Sequence, residues 1–189
     1  MSPRFTLASA SPRRHELLTR AGYVFDVVPA DIDEERWPDE APRDYVQRLA
    51  TFKAEAVATR TPEGLVLGAD TVVVVDADVL GKPRDDAEAS DMLRRLSGRV
   101  HEVLTGVALV THESGRVAVE STLVTLVGLD APTIDWYVAT GEALDKAGAY
   151  GVQGIASRFV ERIEGSYTNV VGLPVALVAR LFSEREDKA

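Results

Sequence analysis

The stretch from Leu65 to Val75 constrains this chain more than any other. Two apolar runs are interrupted only at Gly68, Ala69, Asp70 and Thr71, and the turn-forming Asp76-Ala-Asp78 that follows predicts a hairpin leading into Gly81-Lys82-Pro83. A lone carboxylate therefore lies inside a strand. Burying it is costly unless Asp70 is paired, hydrogen-bonded or bound to a metal. A carboxylate capped by backbone N–H groups beside a bulge at Gly68 meets the same requirement without any chemistry.

Around that strand the pattern alternates between strands and helices. Phe5 to Ala8 reads as a strand. Ser11-Pro12 then caps and opens a helix with Leu17, Leu18 and Ala21 inward and Gly22 at its end. Tyr23 to Val28 is a second strand, and the acidic, Pro-flanked segment Pro29 to Pro42 is an irregular loop. Tyr45, Leu49, Phe52, Ala56 and Val57 recur at helical spacing up to Thr59, with Lys53 near the edge of the stripe. A third helix covers Asp85 to Leu96, with Ala89, Met92, Leu93 and Leu96 inward. Glu102 to Val110 and Arg116 to Val127 form an antiparallel hairpin. Pro132 to Ala139 is helical, with Trp136 and Tyr137 on its buried face. Asp145 to Gly154 reads as a structured loop against a ligand. Phe159 to Ile163 is a strand, Gly165-Ser166 a turn, and Leu173-Pro174 opens a last helix ending near Phe182. The mixture implies an α/β fold, a mixed β-sheet flanked by helices. Residues 1–182 form one domain, and 183–189 a charged, flexible tail.

Composition narrows the function. The 189 residues are enough for a sizeable core, and the net charge of −9 disfavours non-specific binding to nucleic acid or to an anionic membrane. Any anion site must be local. With no Cys there are no thiol nucleophiles or thiolate metal sites, and His15, His101 and His112 find no partners at catalytic spacing. A hard metal held by carboxylates stays open on this composition. No apolar run approaches the ~20 residues of a membrane span and the start lacks a signal-peptide core, so a cytoplasmic location is expected. Of the 21 basic residues only four are Lys: Lys53, Lys82, Lys146 and Lys188. A retained Lys marks a place suited to a compact ammonium rather than a planar fork.

Several segments can carry chemistry. Ser9-Ala-Ser-Pro-Arg-Arg14 brings hydroxyls, helix N–H groups and two guanidiniums to one helix start, an anion site built from Ser9, Ser11 and the two arginines, Arg13 and Arg14. The same residues also read as an N-cap with two solvated arginines. Asp70 with Asp33 or Glu34 can bind Mg²⁺ and deprotonate a water, which phosphoanhydride hydrolysis requires. Acidic loop residues are also commonly just solvated. Lys82, between Gly81 and Pro83, can present an ammonium to a ligand or lie in solvent. Lys53 can snorkel past the core, and Lys146 can simply pair with Asp145. The amide of Gln153 complements the adjacent carbonyl and ring N–H of uracil or thymine.

Taken in order, these segments resemble the Maf family of nucleoside triphosphate pyrophosphatases. The matching blocks are Ser9-Ala-Ser-Pro-Arg-Arg14, Gly68-Ala-Asp-Thr71, Gly81-Lys-Pro83, Leu96-Ser-Gly98, Asp145-Lys-Ala-Gly-Ala-Tyr150, Gln153-Gly154 and Gly165-Ser-Tyr-Thr-Asn-Val-Val-Gly-Leu-Pro174. The resemblance implies a Maf/Ham1-like fold, similar to inosine triphosphate pyrophosphatase, of two lobes about a central cleft. A non-standard or surplus nucleotide would be cut there to a monophosphate and pyrophosphate. It implies Asp70 as catalytic base or metal-linked carboxylate, Arg14, Lys53 and Lys82 as triphosphate contacts, and Asp33 or Glu34 as a further carboxylate for Mg²⁺ or Mn²⁺. In the dTTP/UTP branch, base choice is associated with the positions of Arg13, Thr71 and Gln153, and all three fit. The sister branch acting on 7-methyl-GTP tends to carry an aromatic in place of Arg13 and an acid in place of Gln153. A few members are linked to septum formation, so a non-enzymatic nucleotide-binding regulator of division is the competing reading. A homodimer is expected from the resemblance alone.

Overall fold

The computed structural model describes residues 4–61 and 64–186. Its seven strands are β1 (Phe5–Leu7), β2 (Phe25–Val27), β3 (Val66–Val75), β4 (Asp78–Leu80), β5 (Val100–Val110), β6 (Gly115–Leu126) and β7 (Val160–Glu164). The helices are α1 (Pro12–Arg20), α2 (Pro42–Ala58), α3 (Asp86–Leu96), α4 (Ala131–Val138), α5 (Tyr167–Val171) and α6 (Val175–Glu186). The strands form one mixed sheet in the order β2-β1-β3-β5-β6-β7, with β4 paired to β3. Strand β1 runs parallel to both β2 and β3, whereas the β3–β4 and β6–β7 pairs are antiparallel. The expected α/β class with a mixed sheet and flanking helices is what the chain forms.

The chain divides into two compact units, and β3, β5 and β6 each contribute to both. The first holds the chain up to Thr71, Thr105–Glu120 and the segment from Gly172; the second holds Val72–Leu104 and Ser121–Val171.

In the first unit the two faces of the sheet carry different cores. Alternate residues of a strand point to opposite faces. Thus Leu67 and Ala69 of β3 and Val107 and Leu109 of β5 pack with Leu18 of α1 and Leu177, Val178 and Leu181 of α6. On the other face Val66, Ala108 and Val110 pack with Ala50, Ala54 and Val57 of α2. This face admits α2 unusually closely because Gly68 and Gly106 lie beneath it. A Cβ at Gly68 would stand 2.2 Å from the Ala50 carbonyl oxygen, and one at Gly106 2.1 Å from that of Val46. Strand β3 therefore runs unbroken through Gly68, where the sequence had admitted a bulge. The glycine makes room for backbone rather than for an irregularity.

The core of the second unit gathers Val73, Leu80, Leu93, Leu96, Val103, Leu126, Ile134, Tyr137 and Phe159. Helix α3 is capped as its sequence dictates, the Asp85 carboxylate accepting from Glu88 N at 2.8 Å. The predicted hairpin at Asp76-Ala-Asp78 also forms, with Asp76 and Ala77 both at positive φ, 54° and 66°. Four expectations need correction. The buried face of α2 is Val46, Leu49, Ala50, Lys53, Ala54 and Val57, because these residues sit over Gly68 and Gly106; Lys53 therefore lies within that face rather than near its edge, and Phe52 of the expected stripe is 39% exposed. Tyr137 is fully buried, but Trp136 is 47% exposed with the Arg158 guanidinium over its ring, because the two neighbours lie 100° apart on the short helix α4. The last helix continues past Phe182 to Glu186, so Ser183–Glu186 are helical; residues 187–189, with Lys188, lie outside the described residues. Phe159 ends a 3₁₀ turn (Ile155–Phe159), and the five-residue helix α5 follows the Gly165-Ser166 turn without having been predicted.

Candidate active site

The first unit places Asp70 against Lys53. Asp70 belongs to the face of β3 that Gly68 opens to α2, and Lys53 lies one residue before Ala54, which touches that glycine. The Lys53 Nζ donates to Asp70 Oδ1 at 2.7 Å and lies 2.8 Å from Glu34 Oε1. Lys53 and Asp70 are almost withdrawn from solvent, their side chains 10% and 11% exposed, whereas Glu34 is open. One ammonium is thus shared by two carboxylates, and the lone strand charge has its partner. Burial pushes the Asp70 carboxyl above its usual range, and the positive charges of Lys53 and Arg14 oppose that push.

Of the two acidic neighbours, Glu34 is the one that reaches Lys53. Asp33 Oδ1 instead accepts from the Glu35 N–H at 2.9 Å, which fixes a local turn. The loop that carries both is fastened to α2 at several points. Tyr45 Oη donates to the Glu34 carbonyl at 2.8 Å, and Arg48 Nη2 to the Glu35 carbonyl at 3.0 Å. Arg48 also forks onto both carboxylate oxygens of Glu40, at 2.6 and 2.8 Å, with its guanidinium 4.0 Å from the centre of the Trp37 ring. The side chains of that ion pair are only 9% and 7% exposed. Burial, reinforced by the charges of Asp70 and Glu34, pushes the Tyr45 phenol up to about 12, so it is a permanent donor at neutral pH.

Arg14 is turned to the opposite face of β3, the side of Ala69 and Thr71. Its Nε donates to Gly172 O at 2.9 Å, Nη1 to Ala69 O at 2.8 Å and Ser9 Oγ at 3.2 Å, and Nη2 to Thr71 Oγ1 at 3.1 Å. Four of its five N–H groups are thereby engaged by the protein. Burial lowers its pKa, opposed by Asp70, but a guanidinium so far above neutrality stays charged. The Ser9 and Ser11 oxygens likewise serve the start of α1: Ser9 Oγ accepts from Ser11 N at 3.2 Å, and Ser11 Oγ accepts from Arg14 N at 3.4 Å. The Thr71 hydroxyl, 2.9 Å from Thr105 Oγ1, donates to Gly172 O at 3.2 Å. Arg13 is half-buried at the same helix start. The structure brings Ser9, Ser11, Arg14 and Thr71 into one bonded cluster and Asp70, Lys53 and Glu34 into another.

Lys82 and Gln153 belong to the second unit, and both are exposed. The segment of Lys82 is tied to the Asp145–Gly154 loop through Gly148 N, which donates to Gly81 O at 3.0 Å. Lys146 pairs with Asp145 at 2.6 Å, as its plain reading has it. His101 is buried against the Tyr150 hydroxyl, 2.7 Å from Nε2, while His15 and His112 are exposed.

Among the described residues no group of three or more His, Asp or Glu side chains gathers to hold a metal on its own. The pair that does converge, Asp70 and Glu34, fits an ion of the Mg²⁺ type. Such ions take one or two protein carboxylates and complete their shell with water and substrate phosphate. Also among the described residues, no helix is long and apolar enough to cross a membrane.

Sequence reasoning missed Arg48, Glu40, Tyr45 and Gly106. Only Tyr45 carried a signal, as a stripe residue whose polar end needs a partner.

Known proteins are similar to this chain nearly from end to end. The family model described as "Maf-like protein" matches residues 4–185. The dTTP/UTP pyrophosphatase of Symbiobacterium thermophilum is 52% identical over 178 residues, covering 94% of this chain and 92% of its own. That of Anaeromyxobacter dehalogenans is 54% identical over 185 residues, with 96% and 93% covered. Among solved structures, the Staphylococcus aureus Ham1 protein aligns with a TM-score of 0.53 over 99% of this chain and all of that one. At 16% identity it is a likeness of fold alone.

Proposed function

The chain belongs to the Maf family, and on that premise we propose that it is a nucleoside triphosphate pyrophosphatase, hydrolysing dTTP and UTP to the monophosphate and pyrophosphate. The observation that carries the reading is the withdrawn Asp70 carboxylate held by Lys53 and joined by Glu34. Hydrolysis of a phosphoanhydride needs a proton acceptor beside concentrated charge, and this cluster has both.

In the proposed reaction, water attacks the α-phosphorus. The new bond is from water oxygen to phosphorus, the bond to the β-phosphate oxygen breaks, and pyrophosphate leaves with its electron pair. Asp70 takes the proton lost by the water. Lys53 orients that carboxylate, and its ammonium, with the charge of Arg14, offsets negative charge as it develops. Among the described residues four of the Arg14 N–H groups are engaged, so its part is chiefly to fix the Ser9–Thr71 cluster and supply positive potential. A divalent Mg²⁺ or Mn²⁺, when bound, would be held by Asp70 and Glu34 and would neutralise triphosphate charge. Lys82 is assigned to the triphosphate, and Arg13, Thr71 and Gln153 to base choice.

The test is incubation with Mg²⁺ or Mn²⁺ and a panel of standard and modified triphosphates, with pyrophosphate and orthophosphate assayed separately. UMP and dTMP with pyrophosphate are expected. Preference for 7-methyl-GTP would move the chain to the sister branch, orthophosphate with the diphosphate would make it a phosphatase, and bound but intact nucleotide would make it a regulator.

A further inference from the structure

In the second unit one carboxylate is bonded in a way that none of the assigned roles explains. Glu142 Oε2 accepts from Ile155 N at 2.7 Å, and its Oε1 accepts from Ala156 N at 3.2 Å and Tyr137 Oη at 3.1 Å. Ile155 and Ala156 open the 3₁₀ turn Ile155–Phe159, whose cap position is Gly154 and has no side chain to offer. Glu142, distant in sequence, takes the N–H groups that a Ser or Asp cap would otherwise satisfy. The carboxylate is itself anchored, because Tyr137 is fully buried and packs edge-on against Phe159.

The same residue closes on the turn that carries Gln153. The turn Gly151–Gly154 is joined by Gly154 N to Gly151 O at 3.1 Å. A Cβ at Gly154 would lie 2.4 Å from Glu142 Oε2, and one at Gly151 would lie 2.5 Å from Lys146 Cε. Lys146 in turn donates from Nζ to the Glu142 carbonyl at 2.7 Å. Both glycines of the turn therefore sit flush against the pair Glu142 and Lys146, and Gln153, exposed, lies between them in sequence. A movement of the turn would break charge-assisted hydrogen bonds on one side or clash on the other.

We propose that Glu142 is a positioning residue for base selection, holding the Gly151–Gly154 turn so that the Gln153 amide meets the base edge at one place. The inference rests on the assignment of Gln153 to the base. A group displaced by about 1 Å can cost on the order of 10²-fold in rate, so the turn's support bears directly on discrimination.

The experiment compares kcat/KM for UTP and CTP in the wild type, Gln153→Glu, Glu142→Gln and the double variant, together with amide exchange at Ile155 and Ala156. Glu142→Gln keeps the shape but turns one acceptor into a donor facing an N–H. It is expected to lower the UTP-to-CTP ratio by about tenfold or more and to speed exchange at both amides, and the double variant should lose no more selectivity than Gln153→Glu alone. Equal losses on both nucleotides, with Gln153→Glu still shifting the ratio, would overturn the positioning role. A ratio unmoved by Gln153→Glu would instead remove the base assignment on which that role rests. Gly154→Ala drives a methyl group into the same carboxylate and carries the same expectations should Glu142→Gln not fold.

Discussion

Gly68 lies directly under Ala50: a side chain on the strand would meet the helix carbonyl oxygen at 2.2 Å, and the Ala54 backbone nitrogen at 2.8 Å. The close seat of α2 is also what lets Lys53 reach Asp70. A strand glycine replaced by alanine ordinarily gains stability from reduced chain entropy. Here overpacking dominates, and Gly68→Ala should destabilise the fold by about 1–3 kcal/mol. Denaturant midpoints with residual UTP turnover check it; the fraction of activity lost should exceed the fraction unfolded, because the lifted helix parts Lys53 from Asp70. A stabilised, fully active Gly68→Ala would refute this account of the helix seat.

Asp70 and Lys53 should separate chemistry from stability. Asp70→Asn retains an acceptor for the ammonium, which also keeps Glu34, so the protein should fold while losing ~10²–10⁴-fold in turnover. Lys53→Ala leaves the carboxylate buried without its partner and should cost about 3–5 kcal/mol of stability as well. Thermal melts beside steady-state rates distinguish the two. Retained turnover in Asp70→Asn would remove it from the mechanism.

The loop that carries Glu34 is pinned by Tyr45 and Arg48. Arg48→Lys cannot fork onto Glu40 and also reach the Glu35 carbonyl, so the approach of Glu34 to Lys53 is left to the single bond from Tyr45 and loosens. Residues that orient a metal carboxylate typically change metal affinity by ~10–100-fold when altered. Titrating activity with Mn²⁺ should therefore show half-activation at a concentration at least about tenfold higher, with turnover at saturating metal largely restored. An unchanged midpoint would mean that the clamp serves the loop alone.

His101 makes the second unit sensitive to acid. Burial lowers its pKa to about 4, and among the described residues its Nδ1 has no hydrogen-bond partner that could stabilise a charged ring. Above pH ~6.5 the histidine is neutral in both folded and unfolded chains and costs nothing. As pH falls from there toward 4, the unfolded chain takes up a proton that the folded one refuses, so stability is lost. At ~1.4 kcal/mol per unit the loss reaches about 2 kcal/mol near pH 5. Chemical denaturation at pH 7 and 5 should show a steeper decline in the wild type than in His101→Gln. Parallel declines would show that His101 titrates normally in the fold.

The local elements of this protein follow from its sequence because their causes are local. Ser11-Pro12 begins a helix, Asp85 caps one, the apolar spacing of α3 defines its buried face, and Asp76-Ala-Asp78 turns a hairpin, whereas on α2 the glycines beneath it shifted the buried face away from Phe52. The need of Asp70 for a partner was equally legible, since a charge in an apolar strand demands one wherever it is. Trp136 went the other way because, on a short amphipathic helix, only packing decides which of two adjacent aromatics is covered.

Which partner each group found was decided by tertiary structure alone. Asp33 and Glu34 are chemically alike and adjacent. That Glu34 meets Lys53 while Asp33 closes a turn depends on where Tyr45 and Arg48 pin the loop. Arg14, an anion contact by sequence, spends most of its donors inside the protein because Ala69, Thr71 and Gly172 converge around it from distant segments. Glu142 gave no sign in sequence, since a carboxylate that caps a turn 13 residues away looks like any surface acid. Local propensity is a property of a few neighbouring residues; hydrogen bonds and helix seats made across the chain exist only once the sheet has set their partners side by side.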